Sequence, residues 1–517
     1  MYRLGIDVGG TNTDAVLMDA SLNVIAEIKQ PTTDDIYDGI LKAIETILEI
    51  SKVDPEKIHL AMLGTTQCTN AIVERKHLEP IGLLRIGAPS TLGVPPLVDW
   101  EDDIAKIAVA STVIGGGSEY DGKELAPFDE AAAAAFFESL KGKVGSVAIS
   151  CVFSSVRADH ERLAADLCKK IMGDATHVSI SSEIGSMGLI ERENATVLNA
   201  SLFKVAKRFT DGFSKSLHEH GITAAKVYIS QNDGTLMTME QARKYPILTI
   251  ACGPTNSIRG ASYLENMKDA IVIDVGGTTT DIGVIQGGFP RESGVAVTIG
   301  GVRTNFRMPD VLSIGLGGGS IVRVSDNGDI TIGPDSVGYE ITQKSRVFGG
   351  DILTATDIAV RLNMCQVGDA NLVNDIELEF AQKAMNKIQK MIEIGIDTMK
   401  LSNEDADVIL VGGGSVIVPK ELNGTNQALK PAFFGTANAI GSAISKISGT
   451  FEKLIDYEKV ARDTAIEAAK KEAIDMAVAS GALDGTVEII DVEDVPLAYY
   501  PGNTNRLKIK AAGELKL

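Results

Sequence analysis

A chain of 517 residues, 44% of them hydrophobic, exceeds what one hydrophobic core accommodates, so two or three domains are expected. A formal net charge of −20 argues against a nucleic-acid or anionic-membrane partner, either of which needs a basic face, and no run reaches the roughly 18 consecutive apolar residues of a membrane span. Five scattered cysteines without a CxxC pair suggest neither a disulfide framework nor a zinc site, and Met1 to Asn12 leads into a core strand without a signal peptide, so a cytoplasmic location is expected.

In chain order, Leu4 to Val8, Ala15 to Met18 and Val24 to Ile28 read as a three-strand meander broken by Gly, Asn and Asp turns. Ile36, Ile40, Leu41, Ile44, Ile47 and Leu48 recur at helical spacing, and a strand from His59 to Leu63 stops at Gly64. Ser146 to Phe153 reads as a buried strand, Leu189 to His220 as helix, and Lys226 to Ser230 as strand. The first grammar then restarts, with strands at Ile271 to Val275 and Asp281 to Ile285. A helix from about Asn374 to Met399 precedes the strand Val408 to Val411, and another helix follows from Thr436 to Ile447. An Ala-rich helix (Lys459 to Ala479) and two strands (Thr486 to Ile490, Arg506 to Ala511) complete the chain. The expected division is residues 1–180, 181–450 and a small α+β appendage over 451–517.

The restart is nearly literal: Ile6-Asp7-Val8-Gly9-Gly10-Thr11 matches Ile273-Asp274-Val275-Gly276-Gly277-Thr278, and Thr13-Asp14 matches Thr280-Asp281. Each copy is a strand, a glycine turn and a returning strand, so backbone N–H groups can crowd a phosphate where side chains would block it. No GxxxxGK[ST] is present, and a strand rather than a helix follows the glycines, which separates the pattern from P-loop and dinucleotide folds. Gly9, Gly10, Thr11, Thr13, Gly276, Gly277, Thr278 and Thr279 are the expected phosphate residues. Asp7 and Asp274 are placed to hold Mg²⁺, directly or through water, because a carboxylate beside phosphate would otherwise repel it. A third glycine turn, Gly412-Gly413-Gly414, ends an apolar strand where adenosine can lie on backbone, and Gly317-Gly318 either approach the nucleotide or form a hairpin.

Phosphate loop, phosphate loop, adenosine loop in that order resembles the superfold shared by sugar kinases and actin: two ribonuclease H-like halves around an ATP cleft. Within it, the chain resembles the hydantoinase A and 5-oxoprolinase family, which includes acetone carboxylase β subunits. The matching stretches include Gly64-Thr65-Thr66 with Thr69-Asn70-Ala71, Gly115-Gly116-Gly117 with Tyr120-Asp121-Gly122, Glu191-Arg192-Glu193-Asn194, Asn232-Asp233-Gly234, Gly253-Pro254-Thr255-Asn256-Ser257 and Gly317-Gly318-Gly319-Ser320. The resemblance implies ATP and Mg²⁺ as cofactors, with Gly317 and Gly318 binding the nucleotide, a cyclic amide such as a lactam or hydantoin as substrate, phosphorylation of its carbonyl oxygen, and a hydantoinase B-type partner subunit. Two stretches depart: Leu312 stands where members usually have His, and Gly338-Tyr339-Glu340-Ile341-Thr342 replaces a Gly-Pro-Ala-Cys-Tyr segment.

Thr65 and Thr66 are expected catalytic donors to the γ-phosphate or substrate carbonyl, with helix capping as the alternative reading. Asp233 either orients water or forms an Asx turn. Cys252 has no neighbouring His to activate it and reads as core. Two rival functions use the same clamp: a small-molecule kinase, giving a stable phosphorylated product, and a nucleotide-switched interaction protein.

Overall fold

The computed structural model describes residues 1–517 except 33–35, 186, 295, 326, 498, 499, 501 and 517. The first meander comprises Tyr2–Val8, Asn12–Asp19 and Val24–Pro31, all antiparallel, and Ile58–Thr65 adds in parallel beside the first strand. Side chains alternate across this sheet. Leu4, Ile6, Val8, Ala15 and Leu17 pack on Ile40, Ile44 and Ile47 of the helix Ile36–Ser51, while Val16 and Met18 pack on Ala439, Ile440 and Ala443 of the helix Ala437–Ile444. With both faces covered, the strands read as near-continuous apolar runs.

The second copy repeats the pairing: Ala270–Val275 lies antiparallel to Thr280–Gln286 and parallel to Ala406–Val411. The register is preserved too, for Asp7 faces Asp14 as Asp274 faces Asp281. Two helices, Cys252–Glu265 and Ala437–Ile444, lie between the sheets. They touch backbone to backbone: a Cβ on Gly260 would sit 1.9 Å from Ala437 O, and one on Gly441 would sit 1.8 Å from Asn256 O.

The expected boundaries do not follow the sheets. Lys226–Ser230 and Leu236–Thr238 belong to the first sheet, which then continues through Ile447–Asp456, Thr504–Gly513 and Glu488–Pro496 to nine strands. The C-terminal stretch expected as an appendage is therefore continuous with the N-terminal sheet. Its helix Arg462–Ala479 carries a buried alanine every fourth residue (Ala465, Ala469, Ala473, Ala477), a stripe narrow enough for the strand to approach at Gly449. A separate four-stranded parallel sheet (Ala108–Gly115, Ile81–Ala88, Ser146–Cys151, His177–Ile180) is inserted between Thr65 and Lys226. The buried helix Leu189–Ser201 joins it to the rest through the Arg85–Glu193 ion pair, 2.5 Å apart.

A second buried charge cluster fixes the C-terminal strands. Asp233, fully buried, pairs with Lys510 at 2.9 Å and Arg307 at 3.2 Å, and Glu292 pairs with Lys508 at 2.6 Å and Lys510 at 3.2 Å. Burial alone would raise the Glu292 carboxyl, but Lys510, Arg307 and Lys508 outweigh it and hold its pKa down to about 2. The folded pKa lies below the ordinary 4.5, so this stabilisation is complete above about pH 4.5 and is lost as pH falls towards 2. Lys510→Met leaves Asp233 with an incompletely compensated buried charge and is expected to cost about 3–5 kcal/mol in denaturant unfolding at pH 7. Towards pH 2 that difference from wild type should shrink, because without Lys510 the variant's Asp233 and Glu292 take up protons at a higher pH than the wild-type pair, which Lys510 and Arg307 hold ionised.

Candidate active site

The two glycine loops have the same closure, Gly9 N–H to Asn12 O at 3.0 Å and Gly276 N–H to Thr279 O at 2.9 Å. They face one another, for a Cβ on Gly277 would lie 3.3 Å from Thr11 Cγ2. Each loop is fixed from behind. Thr32 donates from N to Thr11 O and from its hydroxyl to Gly9 O, both at 2.9 Å, and its hydroxyl lies 3.3 Å from that of Thr13. Gly318 and Gly319 donate to Gly276 O (3.0 Å) and Gly277 O (2.8 Å). At the loop tips the backbone N–H groups of Gly10, Thr11, Gly277 and Thr278 have no acceptor among the described residues, and neither has that of Thr279 beside them. Unpaired amides on two opposed turns form an anion-binding concavity.

Beneath the loops lie the strand-end aspartates. Asp7, only 3% exposed, accepts from Asn256 Nδ2 at 2.9 Å on one oxygen and from Asn438 Nδ2 at 3.0 Å on the other. Asn438 Nδ2 also reaches Asp14 at 2.8 Å, and Lys29, the cross-strand partner of Asp14, closes an ion pair with it at 2.8 Å. Burial is the largest influence on the Asp7 carboxyl; with Asp14 and Asp274 adding repulsion, it prevails over the two amides and lifts the pKa to about 6. Asp274 accepts from the Ser257 hydroxyl, and burial raises its pKa as well. Asn256 and Ser257 are neighbours on one helix, so that helix touches both aspartates. Gly412, at φ +83°, allows the adjoining turn to pass Asp274, because a Cβ there would lie 2.2 Å from its Oδ1.

The residues present fit a hydrated Mg²⁺. Among the described residues no group of three or more His, Cys, Asp or Glu side chains is arranged to hold a metal by itself. Magnesium typically keeps several waters and takes one or two carboxylates plus phosphate oxygens. Asp7 and Asp274 would supply such carboxylates, and the buried Asn256 Oδ1, which has no partner among the described residues, would offer an acceptor for a metal-bound water.

The remaining expected residues divide by position. Thr65 is buried and its hydroxyl accepts from Gln67 N at 3.3 Å, whereas Thr66, half-buried at the start of the helix Gln67–Val73, bonds to Val8 O at 3.3 Å beside the first loop. Gly317 lies against the Gly277 backbone and Gly318 donates its own N–H to Gly276 O, so both shape the second loop from behind. Gly413 approaches Lys29, and Gly414 approaches Gly276 O, so this third turn adjoins the phosphate loops. Cys252 is enclosed against the Thr65 backbone, where burial pushes its thiol up and leaves it an inert donor. Asp233 makes the Asx turn to Thr235 N at 3.0 Å and has its other oxygen in the ion cluster. Lys29, Asn256, Ser257 and Asn438 were not singled out from sequence. The matching stretch Gly253 to Ser257 contains Asn256 and Ser257.

These features define an α/β protein with two opposed glycine loops, lined with backbone N–H donors, over paired aspartates. The chain belongs to the hydantoinase/oxoprolinase family: residues 3–172 match its N-terminal region and 192–404 its hydantoinase/oxoprolinase domain. It is 30% identical over 417 residues to the caprolactamase subunit alpha of Pseudomonas jessenii, covering 76% of this chain and 58% of that one. It is 25% identical over 452 residues to the acetone carboxylase beta subunit of Xanthobacter autotrophicus, covering 78% and 59%. The chain thus spans under two thirds of the length of these relatives, which are themselves named as subunits. The solved structure of ATP-dependent caprolactamase from Pseudomonas jessenii has the same fold, with a TM-score of 0.81 and 20% identity over 99% of this chain and 88% of that one.

Proposed function

We propose that the duplicated halves form an actin-like ATPase and that the protein uses Mg²⁺·ATP to activate a cyclic amide for hydrolysis, together with a hydantoinase B-type partner subunit in the cytoplasm. The observation that carries this reading is the pair of opposed loops with four unpaired amides above Asp7 and Asp274. The similarity to a caprolactamase subunit supports the substrate class.

Unstrained amides resist water, and phosphorylating the carbonyl oxygen makes the carbon electrophilic. The amide oxygen attacks the γ-phosphorus and the bond to ADP breaks. Water then adds to the carbon, the ring nitrogen takes a proton and leaves, and hydrolysis of the acyl phosphate releases phosphate. Phosphoryl transfer asks for positioning and charge neutralisation more than for covalent help. Gly10, Thr11, Gly277 and Thr278 supply fixed donors, Thr66 stands beside the first loop, and Asn256, Asn438 and Ser257 hold the aspartates in place. Bound Mg²⁺ would neutralise charge that develops on the β- and γ-phosphate oxygens.

The test is product stoichiometry. Incubating protein, partner subunit, ATP and a panel of lactams and hydantoins should yield ADP, phosphate and ring-opened acid in equal amounts. ADP with a stable phosphorylated product and no free phosphate would replace this reading with a kinase. Amide-independent turnover would remove it altogether.

A further inference from the structure

A cavity of about 600 Å³ adjoins the first phosphate loop, with Gly9 and Gly10 in its wall. It shares that wall with the phosphate site, so a molecule seated there lies next to whichever phosphate the loop holds. A Cβ on Gly10 would meet nothing within 4 Å, so the loop's backbone faces open space.

The helix Phe203–Glu219 supplies one side. Val205, Arg208, Phe209 and Gly212 fall at helical spacing on a single face towards the cavity, and Gly212 lets the Tyr37 ring come close, its Cδ2 lying 3.6 Å from a Cβ built there. Val205, Phe209, Ile40 and the Tyr37 ring make an apolar wall. Opposite stand Gln67, whose carboxamide has no partner among the described residues, and Asn70, whose Nδ2 bonds to Thr66 Oγ1 at 3.4 Å. Among the charged groups, Lys76 and Glu74 pair with each other at 3.0 Å and cancel. Arg208 carries no ion pair or hydrogen bond among the described residues, so among the described charged groups at the cavity it is the cation left without a counter-charge. The volume exceeds what a bare five- or six-membered ring fills, and such pockets hold small molecules by apolar walls with a few placed polar groups.

We propose that this cavity is the acceptor subsite, that Gln67 and Asn70 receive the amide, and that Arg208 binds a carboxylate on a side chain of the substrate. The inference rests on the amide-activating reading and narrows it to cyclic amides with an apolar spacer and an anionic end. Arg208 is exposed on its helix, so replacing it leaves the core untouched.

Calorimetric titration of the full chain with a Mg²⁺-bound, non-hydrolysable ATP analogue tests it, using hydantoin-5-propionate and the neutral 5-propylhydantoin as probes. The carboxylate should bind about 10- to 100-fold more tightly, the scale of one charge-assisted hydrogen bond, and Arg208→Gln should reduce that preference to within about threefold. Equal affinity of the two probes, a preference that survives in R208Q, or binding of neither overturns the subsite. ATP turnover with the same probes and the partner subunit is read separately. Tight, Arg208-dependent binding without phosphate release keeps the subsite and removes the amide-activating reading. Turnover of both probes alike, unaffected in R208Q, does the reverse.

Discussion

Asp7→Asn is expected to lower ATP turnover by about 10³-fold or more while the protein stays folded. The loss follows from position: Asp7 stands beneath the first loop with both oxygens held by amides, so in the proposed mechanism removing its charge would remove the electrostatic anchor for a metal beside the phosphates. The stability readout has the opposite sign. With the pKa lifted from 3.8 to about 6, the folded protein binds more protons than the unfolded chain between those values, so its stability falls as pH rises through that window and the deficit is full above it. About two units correspond to about 3 kcal/mol, an upper bound on what neutralising the site recovers. The Asn256 Oδ1 without a partner can accept from the new amide. Denaturant unfolding at pH 7.5 without nucleotide should therefore show D7N at least as stable as wild type. A D7N enzyme with wild-type turnover would dismiss Asp7 from the site.

Gly64→Ala should have the second largest effect for a change of one methyl. A Cβ at position 64 would lie 2.2 Å from Asp7 Oδ1 and 2.4 Å from Asn256 Nδ2, so both must move. Misplacing a catalytic group by about 1 Å costs about 10²-fold, and a loss of that size is expected in kcat, with unfolding shifted by about 1–3 kcal/mol. Turnover within threefold of wild type would mean that the Asp7 clamp is not required. Here the glycine is explained by a close approach and not by backbone conformation, since no positive φ is recorded for it.

These two variants also show where sequence reading stops. The loops were legible because every residue of IDVGGTNTD and IDVGGTTTD acts locally: strand, turn and returning strand are set within nine positions, and their register came out identical in the structure. The partners of Asp7 were not, since Asn256 and Asn438 lie 249 and 431 residues away in the chain. Gly260 and Gly441 carry no local turn signal; their purpose is visible only once the two helices cross. The same non-locality hid the C-terminal strands, because the alternation in Arg506 to Ala511 predicts a strand but not the sheet it joins. Gly317 and Gly318 read as possible ligand contacts, and the structure shows this glycine stretch bracing the second loop, a role that only the bonds from Gly318 and Gly319 reveal.

In the proposed mechanism the two loops close on one polyphosphate. A crystal structure of the protein with Mg²⁺ and a non-hydrolysable ATP analogue tests it most directly. Phosphate oxygens are expected within hydrogen-bond distance of the Gly10, Thr11, Gly277 and Thr278 N–H groups, with Mg²⁺ or its waters on Asp7 and Asp274. Nucleotide bound elsewhere, or bound with those four amides still free, would contradict it.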